Sequence, residues 1–363
     1  MTGMETVNKN DIFFVLDDFS SGGAARVISL IASELAQRGY SVNIILDKNR
    51  PIFYPLHSGI RIIPLYEKRS PRNLFEQIFF SVKRLRKLIK ENDGVWISVM
   101  PDMSLALWLA SLFKRVKKIA SDHTSFERKL SVYGKFNRSF VYSRFDAVTV
   151  LTQRDYVFLG KKLPRKVVMP NPIKIERHVS NSERANIVLA AGRLDVWKLK
   201  GFDILLNAWS RIAANNPDWK LQIAGDGSQK SRDEVKALIC QLEIADSVDL
   251  LGQVSDIKSV MSRASIFAMT SRVEGFGLVL VEAMSQGCAC ISFDDGGRQS
   301  EIIDCGSGII IDDNSEEQLA DTIQKLIDDA DLRLKLSEGA VRRAGDYDVK
   351  KIADKWETLL KTL

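Results

Sequence analysis

No run in this chain of 363 residues approaches the roughly 18 uncharged apolar residues of a membrane span, and its first ten residues, MTGMETVNKN, are polar rather than signal-like. A cytoplasmic protein is expected. Histidine is scarce: only His57, His123 and His178 occur, none spaced with a cysteine or another histidine as a metal site requires. The four cysteines, Cys240, Cys288, Cys290 and Cys305, show no paired framework, so reduced structural thiols are expected. Neither the Gly22-Gly23 pair nor Gly225-Asp-Gly227 makes the G-x-G-x-x-G of a dinucleotide fold, which disfavours a nicotinamide dehydrogenase. The Asp346-Tyr-Asp348 pair precedes the last helical segment and reads as a cap rather than a metal site.

What is present is alternation. Apolar strand-like runs at 12–16, 42–46, 95–99, 147–151, 187–191, 221–224, 248–251, 266–269 and 289–293 are separated by helical patterns. Such alternation predicts α/β architecture with doubly wound parallel sheets. The length exceeds one ordinary core and predicts two domains, 1–172 and 173–346, joined by the polar, proline-containing stretch 167–186. A final helix over 347–363, with Ile352, Trp356, Leu359 and Leu360 on one face, is expected to pack back on the first domain.

Charge is divided unevenly. Residues 1–175 hold 29 Lys+Arg against 15 Asp+Glu, net +14, and the remainder holds 23 against 31, net −8. The densest basic stretch is 74–90. At helical spacing Phe75, Ile78, Phe79, Val82, Leu85 and Ile89 make one face, while Lys83, Arg84, Arg86, Lys87 and Lys90 crowd the end. This suits an anionic membrane surface, with a core-packed helix and solvated lysines as the alternative. Lys114, Arg115, Lys117 and Lys118 form a second cluster. No aromatic-interleaved basic strand or recognition motif accompanies the charge, so nucleic acid is not the expected partner.

The most informative segment is Glu274-Gly-Phe-Gly-Leu-Val-Leu-Val-Glu282, two carboxylates with seven residues between them at the start of an apolar helix that follows a buried strand. Parallel sheets bind ligands at the carboxyl ends of their strands, and the free amides near Phe276 to Val279 suit an anion. A sugar nucleotide accounts for both features: its hydroxyls donate to Glu274 and Glu282, and its diphosphate accepts from the amides. The alternative is that Glu274 is a helix-dipole acid and Glu282 an exposed helix residue. Arg193, Lys198 and Lys200 follow another strand, where cations can neutralise a diphosphate leaving group. Gly22 and Gly23 follow the first strand and permit close backbone approach to a ligand.

Together these segments resemble the retaining glycosyltransferases of family 4, whose fold is GT-B: two Rossmann-like doubly wound domains facing a central cleft. The resemblance rests on Glu274 to Glu282 followed by Ala-Met-Ser-Gln-Gly287, on Gly192-Arg193 with Lys200-Gly201-Phe202, and on LQIAGDG at 221–227 and LGQVSD at 251–256. It implies that the first domain binds an acceptor and the second a nucleotide sugar. Arg193 and Lys200 bind the donor diphosphate, with Lys198 a second candidate because the spacing is longer than usual. Glu274 and the amides around Phe276 and Gly277 hold the donor sugar, Leu278 its phosphate and Glu282 the ribose. Val254 lies beside the base, Gly22 and Gly23 face the phosphates, and His123 in Ser121-Asp-His-Thr lies near the sugar.

The stretches SGGAARV, SDHTS, VLTQRDY, MPNP and GRLDVWKLKGFDILLNAW look most like bacterial enzymes that extend lipid-linked or surface polysaccharides with galactose or N-acetylgalactosamine. Two departures stand out: Ala25 where an acid is common, and Gly296-Gly297-Arg298-Gln299 in the loop near Asp294, where a Gly-Pro pair is frequent. The resemblance implies transfer from a UDP-sugar with retention; no carboxylate here is a persuasive covalent nucleophile, which favours front-face attack, and Arg193, Lys200 and the helix end supply positive charge, so neither a metal nor a further cofactor is expected. A sugar-nucleotide epimerase or hydrolase on the same scaffold, or a non-catalytic membrane-associated partner subunit, are the rival readings.

Overall fold

The structure, a computed structural model, describes the chain except for residues 1–10, 21, 68, 125–131, 161–162, 164, 177–183 and 312–313, so that His178 lies outside the described residues. It divides into two compact units, residues 1–174 with 349–363, and residues 175–348.

Unit 1 contains a parallel sheet of β1 (Ile12–Val15), β2 (Val42–Leu46), β3 (Arg61–Pro64), β4 (Val95–Val99), β5 (Lys117–Ser121), β6 (Ala147–Val150) and β7 (Lys166–Val168), in the order β3-β2-β1-β4-β5-β6-β7. The central strands are buried along their whole length, as strands covered on both faces must be. Alternate side chains part to two cores. Ile12 and Phe14 enter one, with α1 (Gly23–Gln37) and the last helix; Phe13 and Val15 enter the other, with α2 (Leu74–Glu91) and α3 (Pro101–Ala110). The short helices α4 (Val132–Phe136) and α5 (Gln153–Phe158) complete the unit before the chain leaves it.

Unit 2 contains a second parallel sheet of β8 (Ala185–Ala191), β9 (Lys220–Ala224), β10 (Val248–Gly252), β11 (Ala264–Met269), β12 (Ala289–Phe293) and β13 (Ile309–Ile311), in the order β10-β9-β8-β11-β12-β13. Its helices are α6 (Phe202–Ile212), α7 (Gln229–Gln241), α8 (Ile257–Arg263), α9 (Leu278–Ser285), α10 (Glu316–Asp328) and α11 (Ala330–Ala344). The chain then returns to unit 1 as α12 (Val349–Lys361), where Trp356 meets Phe14 edge-on at 6.3 Å and Arg38 binds Asp354 at 2.6 Å.

Four strands escaped the sequence reading: β3, β5, β7 and β13. The first three open on Arg61, Lys117 and Lys166, and β7 overlaps the start of the 167–186 stretch expected to be a linker. Their charged ends hide short apolar runs that only the neighbouring strands recruit. The Lys114 to Lys118 cluster is correspondingly part of the fold. Lys114 Nζ donates to the Ile89 carbonyl at 2.7 Å, and the Lys118 amide donates to Asp146 at 2.7 Å. The apolar face expected on α2 is also divided. Leu85 and Ile89 are buried and Ile78 and Val82 pack against the core, so most of the face belongs to the protein's interior. Phe75, at 80% exposure, and Phe79 stay outside, stacked with centroids 6.4 Å apart.

Candidate functional site

Glycines bring the loops of unit 2 together at the carboxyl ends of its strands. A Cβ at Gly225 would lie 1.9 Å from the Gly192 carbonyl oxygen, so the turns after β8 and β9 can touch only through glycine. Gly201 has φ +67°, and a Cβ there would lie 1.8 Å from the Thr270 carbonyl oxygen. The start of α6 therefore lies directly on the end of β11. Thr270 Oγ1 donates to the Lys200 carbonyl at 3.0 Å, and the Arg272 amide donates to the Leu199 carbonyl at 2.9 Å. Arg272 also grips Asp203 with two parallel bonds of 2.7 and 2.8 Å and donates to the Lys198 carbonyl. Arg272 and Asp203, absent from the sequence reading, thus lock the basic loop to the acidic segment.

This clamp joins two of the expected site residues. Lys200 Nζ lies 2.5 Å from Glu274 Oε1, with side chains 22% and 14% exposed. The stem of Lys200 lies over Gly192, where an added Cβ would meet its Cγ at 3.1 Å. Arg193 and Lys198 are exposed on the same loop, and Lys198 Nζ sits 5.3 Å from the Trp197 ring centroid. Asp195 turns away to take the Ser228 amide at 2.8 Å and the Ser231 hydroxyl at 3.0 Å, bonds that hold its carboxyl below the usual range.

Gly277 adopts φ +92° to open α9, and no side chain caps it. The helix start is consequently polar backbone at a strand end. Leu278 is its first residue. Phe276 is buried against Tyr347 at 5.6 Å, so its ring serves packing and only its backbone can serve a ligand. Glu282 is 3% exposed, which sets aside the reading of it as an exposed helix residue. Val254 is half-buried in the turn between β10 and α8.

In unit 1 Gly22 and Gly23 are exposed before and at the start of α1, which has no side-chain cap. Gly22 has φ +130°, a Cβ added at either glycine would meet nothing within 4 Å, and the Gly22 amide donates to Tyr54 Oη at 3.4 Å. His123 follows β5 with each ring nitrogen engaged: Nε2 is 3.1 Å from Ser121 Oγ and Nδ1 is 3.1 Å from Asn171 Oδ1. Burial pushes its imidazole below the ordinary 6.5, so it is neutral at pH 7. A sugar can reach a ring nitrogen only by displacing one of these partners. The neighbouring Asp122 is fully buried and accepts from Tyr142 Oη at 2.9 Å, Arg138 Nε at 3.2 Å and Thr124 Oγ1 at 2.6 Å. Nothing in the sequence separates Arg138 from the surface cations around it; only packing reveals the pair.

Among the described residues no group of three or more His, Cys, Asp or Glu could hold a metal ion, and no helix is long and apolar enough to cross a membrane.

Comparison with known proteins follows the two units. Residues 21–177 match the model of Glycosyltransferase Family 4, and residues 173–343 that of glycosyl transferases group 1. The chain is 30% identical over 361 residues to the amylovoran biosynthesis glycosyltransferase AmsD of Erwinia amylovora, covering 96% of this chain and 99% of that one. The chain belongs to the family-4 glycosyltransferases. A second relative of this glycosyltransferase, from Campylobacter jejuni, is N-acetylgalactosamine-N,N'-diacetylbacillosaminyl-diphospho-undecaprenol 4-alpha-N-acetylgalactosaminyltransferase, 32% identical over 353 residues, covering 92% of this chain and 94% of that one. Among solved structures, Anabaena Alr3699/HepE in complex with UDP superposes with a TM-score of 0.80 at 20% identity, covering 98% of this chain and all of that one. Sucrose-phosphate synthase from Thermosynechococcus elongatus gives 0.84 at 19%, covering 97% and 98%. These likenesses establish the GT-B type of fold for the glycosyltransferase.

Proposed function

We propose that this glycosyltransferase moves a hexose or N-acetylhexosamine, of the galactose or N-acetylgalactosamine type, from a UDP-sugar to a hydroxyl of a lipid-linked or surface-polysaccharide acceptor, with retention of configuration and without metal. The observation that carries the reading is the Lys200–Glu274 pair beside the uncapped start of α9. It sets a cation for phosphate, a carboxylate for sugar hydroxyls and amides for anionic oxygen at the end of one sheet. The names of the relatives support the donor and acceptor classes, since one transfers N-acetylgalactosamine to a diphospho-undecaprenol glycan and Alr3699/HepE takes UDP.

Arg193, Lys198 and Lys200 neutralise the diphosphate, the amides of Gly277 and Leu278 receive phosphate oxygens, Glu274 holds sugar hydroxyls, and Glu282 and Val254 serve ribose and base. Gly22 and Gly23 offer the start of α1 to anionic oxygen. In front-face transfer the bond from the anomeric carbon to the diphosphate breaks while the acceptor oxygen bonds to the same face of that carbon. The acceptor proton passes to the departing phosphate oxygen, so no protein base is needed and His123 orients rather than abstracts. Positioning and charge supply the rate. Screening UDP-galactose, UDP-N-acetylgalactosamine, UDP-glucose and UDP by thermal shift tests the reading. A ligand at 100 times its Kd stabilises by about 2.7 kcal/mol. No shift with any of the four refutes it.

A lipid-linked acceptor brings a membrane surface with it, and the exposed groups of α2 support such a contact. Phe75 and Phe79 on α2 and Phe113 beyond α3, 88% exposed, point outward from helices on one side of the unit 1 sheet, near exposed Lys83, Lys87 and Lys90. Apolar rings with flanking cations fit an anionic lipid surface.

A further inference from the structure

The loop after β12 carries Gly296-Gly297-Arg298-Gln299 and folds into a knot of hydrogen bonds beside Glu274. Asp294 Oδ1 takes the Gln299 amide at 3.2 Å, and Asp294 Oδ2 takes the Ser300 hydroxyl at 3.0 Å. Gln299 Oε1 takes the Asp295 amide at 2.7 Å. Gly296 and Gly297, at φ +63° and +93°, let the chain double back within this knot. Its outward product is the carboxylate of Asp295, whose Oδ2 accepts the backbone N–H of Glu274 at 2.8 Å. Arg298 is fully buried beneath it, with Nη1 3.2 Å from the Asp295 carbonyl oxygen and 3.6 Å from Oδ2.

A guanidinium taken wholly out of water is costly unless its charge is matched, and a carboxylate beside it is correspondingly held in place. Glu274 needs such support because it lies in the irregular stretch between β11 and α9, where no ladder or helix fixes its backbone. Lys200 grips its carboxylate, but that contact must loosen when a diphosphate arrives. The Asp295 contact is to the backbone and can persist.

We propose that Asp295 and Arg298 are positioning residues that aim Glu274 at the donor sugar, so that this loop serves recognition of the sugar rather than of the nucleotide. The proposal rests on the reading of Glu274 as the sugar-holding carboxylate. The sequence of contacts is Arg298 to Asp295, Asp295 to the Glu274 amide, and the Glu274 carboxylate to the sugar.

The test separates sugar from nucleotide. Wild type, Asp295→Ala, Asp295→Asn, Arg298→Lys and, as control, Glu274→Gln are titrated with UDP, UDP-galactose and UDP-N-acetylgalactosamine, and UDP release from the two sugars is followed. Thermal unfolding checks folding. Asp295→Ala is expected to keep the Kd for UDP within about twofold, to lose the added affinity conferred by the sugar and to release UDP at least tenfold more slowly. Asp295→Asn retains an oxygen acceptor and is expected to recover most of that loss. A folded Asp295→Ala with wild-type sugar affinity and turnover overturns the proposal. So does a loss of UDP affinity matching the loss of turnover, or an Asn variant no better than Ala. Arg298→Lys keeps charge without the planar fork and is expected to fall between; wild-type behaviour there removes Arg298 from the proposal. If Glu274→Gln itself leaves sugar binding and turnover intact, the fault lies with the reading of Glu274.

Discussion

Changing Glu274 to glutamine should strengthen the binding of UDP while weakening transfer. In the resting protein Lys200 is committed to Glu274 at 2.5 Å, and a diphosphate that needs the ammonium must first break this pair. Both side chains are partly exposed, at 22% and 14%, so solvent screens the attraction and its worth is about 1 kcal/mol rather than the several of a deep pair. Glu274→Gln leaves only a neutral hydrogen bond and releases most of that amount to the nucleotide. UDP carries no sugar and loses nothing else. Its Kd should tighten about fivefold, since 1.4 kcal/mol is tenfold. The UDP-sugar loses a carboxylate acceptor at the reacting end, so kcat/KM should fall by roughly 10- to 150-fold, the equivalent of about 1.5–3 kcal/mol for a charge-assisted bond. Isothermal titration with UDP on wild type, Glu274→Gln and Lys200→Ala is the assay. Lys200→Ala should bind UDP more weakly, and the double variant should show no gain from the glutamine. Weaker UDP binding by Glu274→Gln, or UDP binding untouched by Lys200→Ala, would refute the assignment of Lys200 to the diphosphate.

Four further outcomes are expected. Gly201→Ala should destabilise unit 2 by at least the roughly 1–2 kcal/mol of a left-handed residue with a Cβ, because that atom also collides with the Thr270 carbonyl; urea unfolding measures it. Stability should fall with acid through His123: burial depresses the folded imidazole, so the unfolded chain takes up the proton first as pH drops below the ordinary 6.5. That contribution is complete above 6.5 and is lost down to the folded value, and melting curves between pH 7.5 and 5 should lose this component in His123→Gln. UDP release from the preferred UDP-sugar should persist in excess chelator, and a loss restored by a divalent ion would end the metal-free mechanism. Vesicle co-sedimentation should fall at low salt when Lys83, Lys87 and Lys90 become Glu, at about 1 kcal/mol for each cation, and should fall at high salt when Phe75 and Phe79 become Ser; equal binding by all three proteins would leave the face as ordinary surface.

The alternation of the apolar strands with helices, the parallel sheets it implies and the acidic segment from Glu274 to Glu282 are legible in the linear chain because each rests on local patterning, whereas β3, β5, β7 and β13 are not. Runs such as Val95–Val99 and Ala289–Phe293 are apolar but for one serine each and buried along their whole length, as strands covered on both faces are. Lys200-Gly201 likewise announces a glycine turn beside a cation. Partnership was not legible. Lys200 and Glu274 are 74 residues apart, Arg272 and Asp203 are 69, and His123 and Asn171 are 48. Each pair depends on which strand ends the sheet brings near each other, β8 beside β11 for the first two and β5 and β7 flanking β6 for the third, a property of sheet order. The same limit applies to α2, whose periodicity defines an apolar stripe but not how much of it the sheet will cover: Leu85 and Ile89 went to the core and Phe75 stayed outside. Arg138 and Arg298 make the point most sharply. In sequence they are ordinary cations, but packing places one against the buried Asp122 and the other beneath Asp295. The charge belongs to the sequence; the cost and use of burying it belong to the fold.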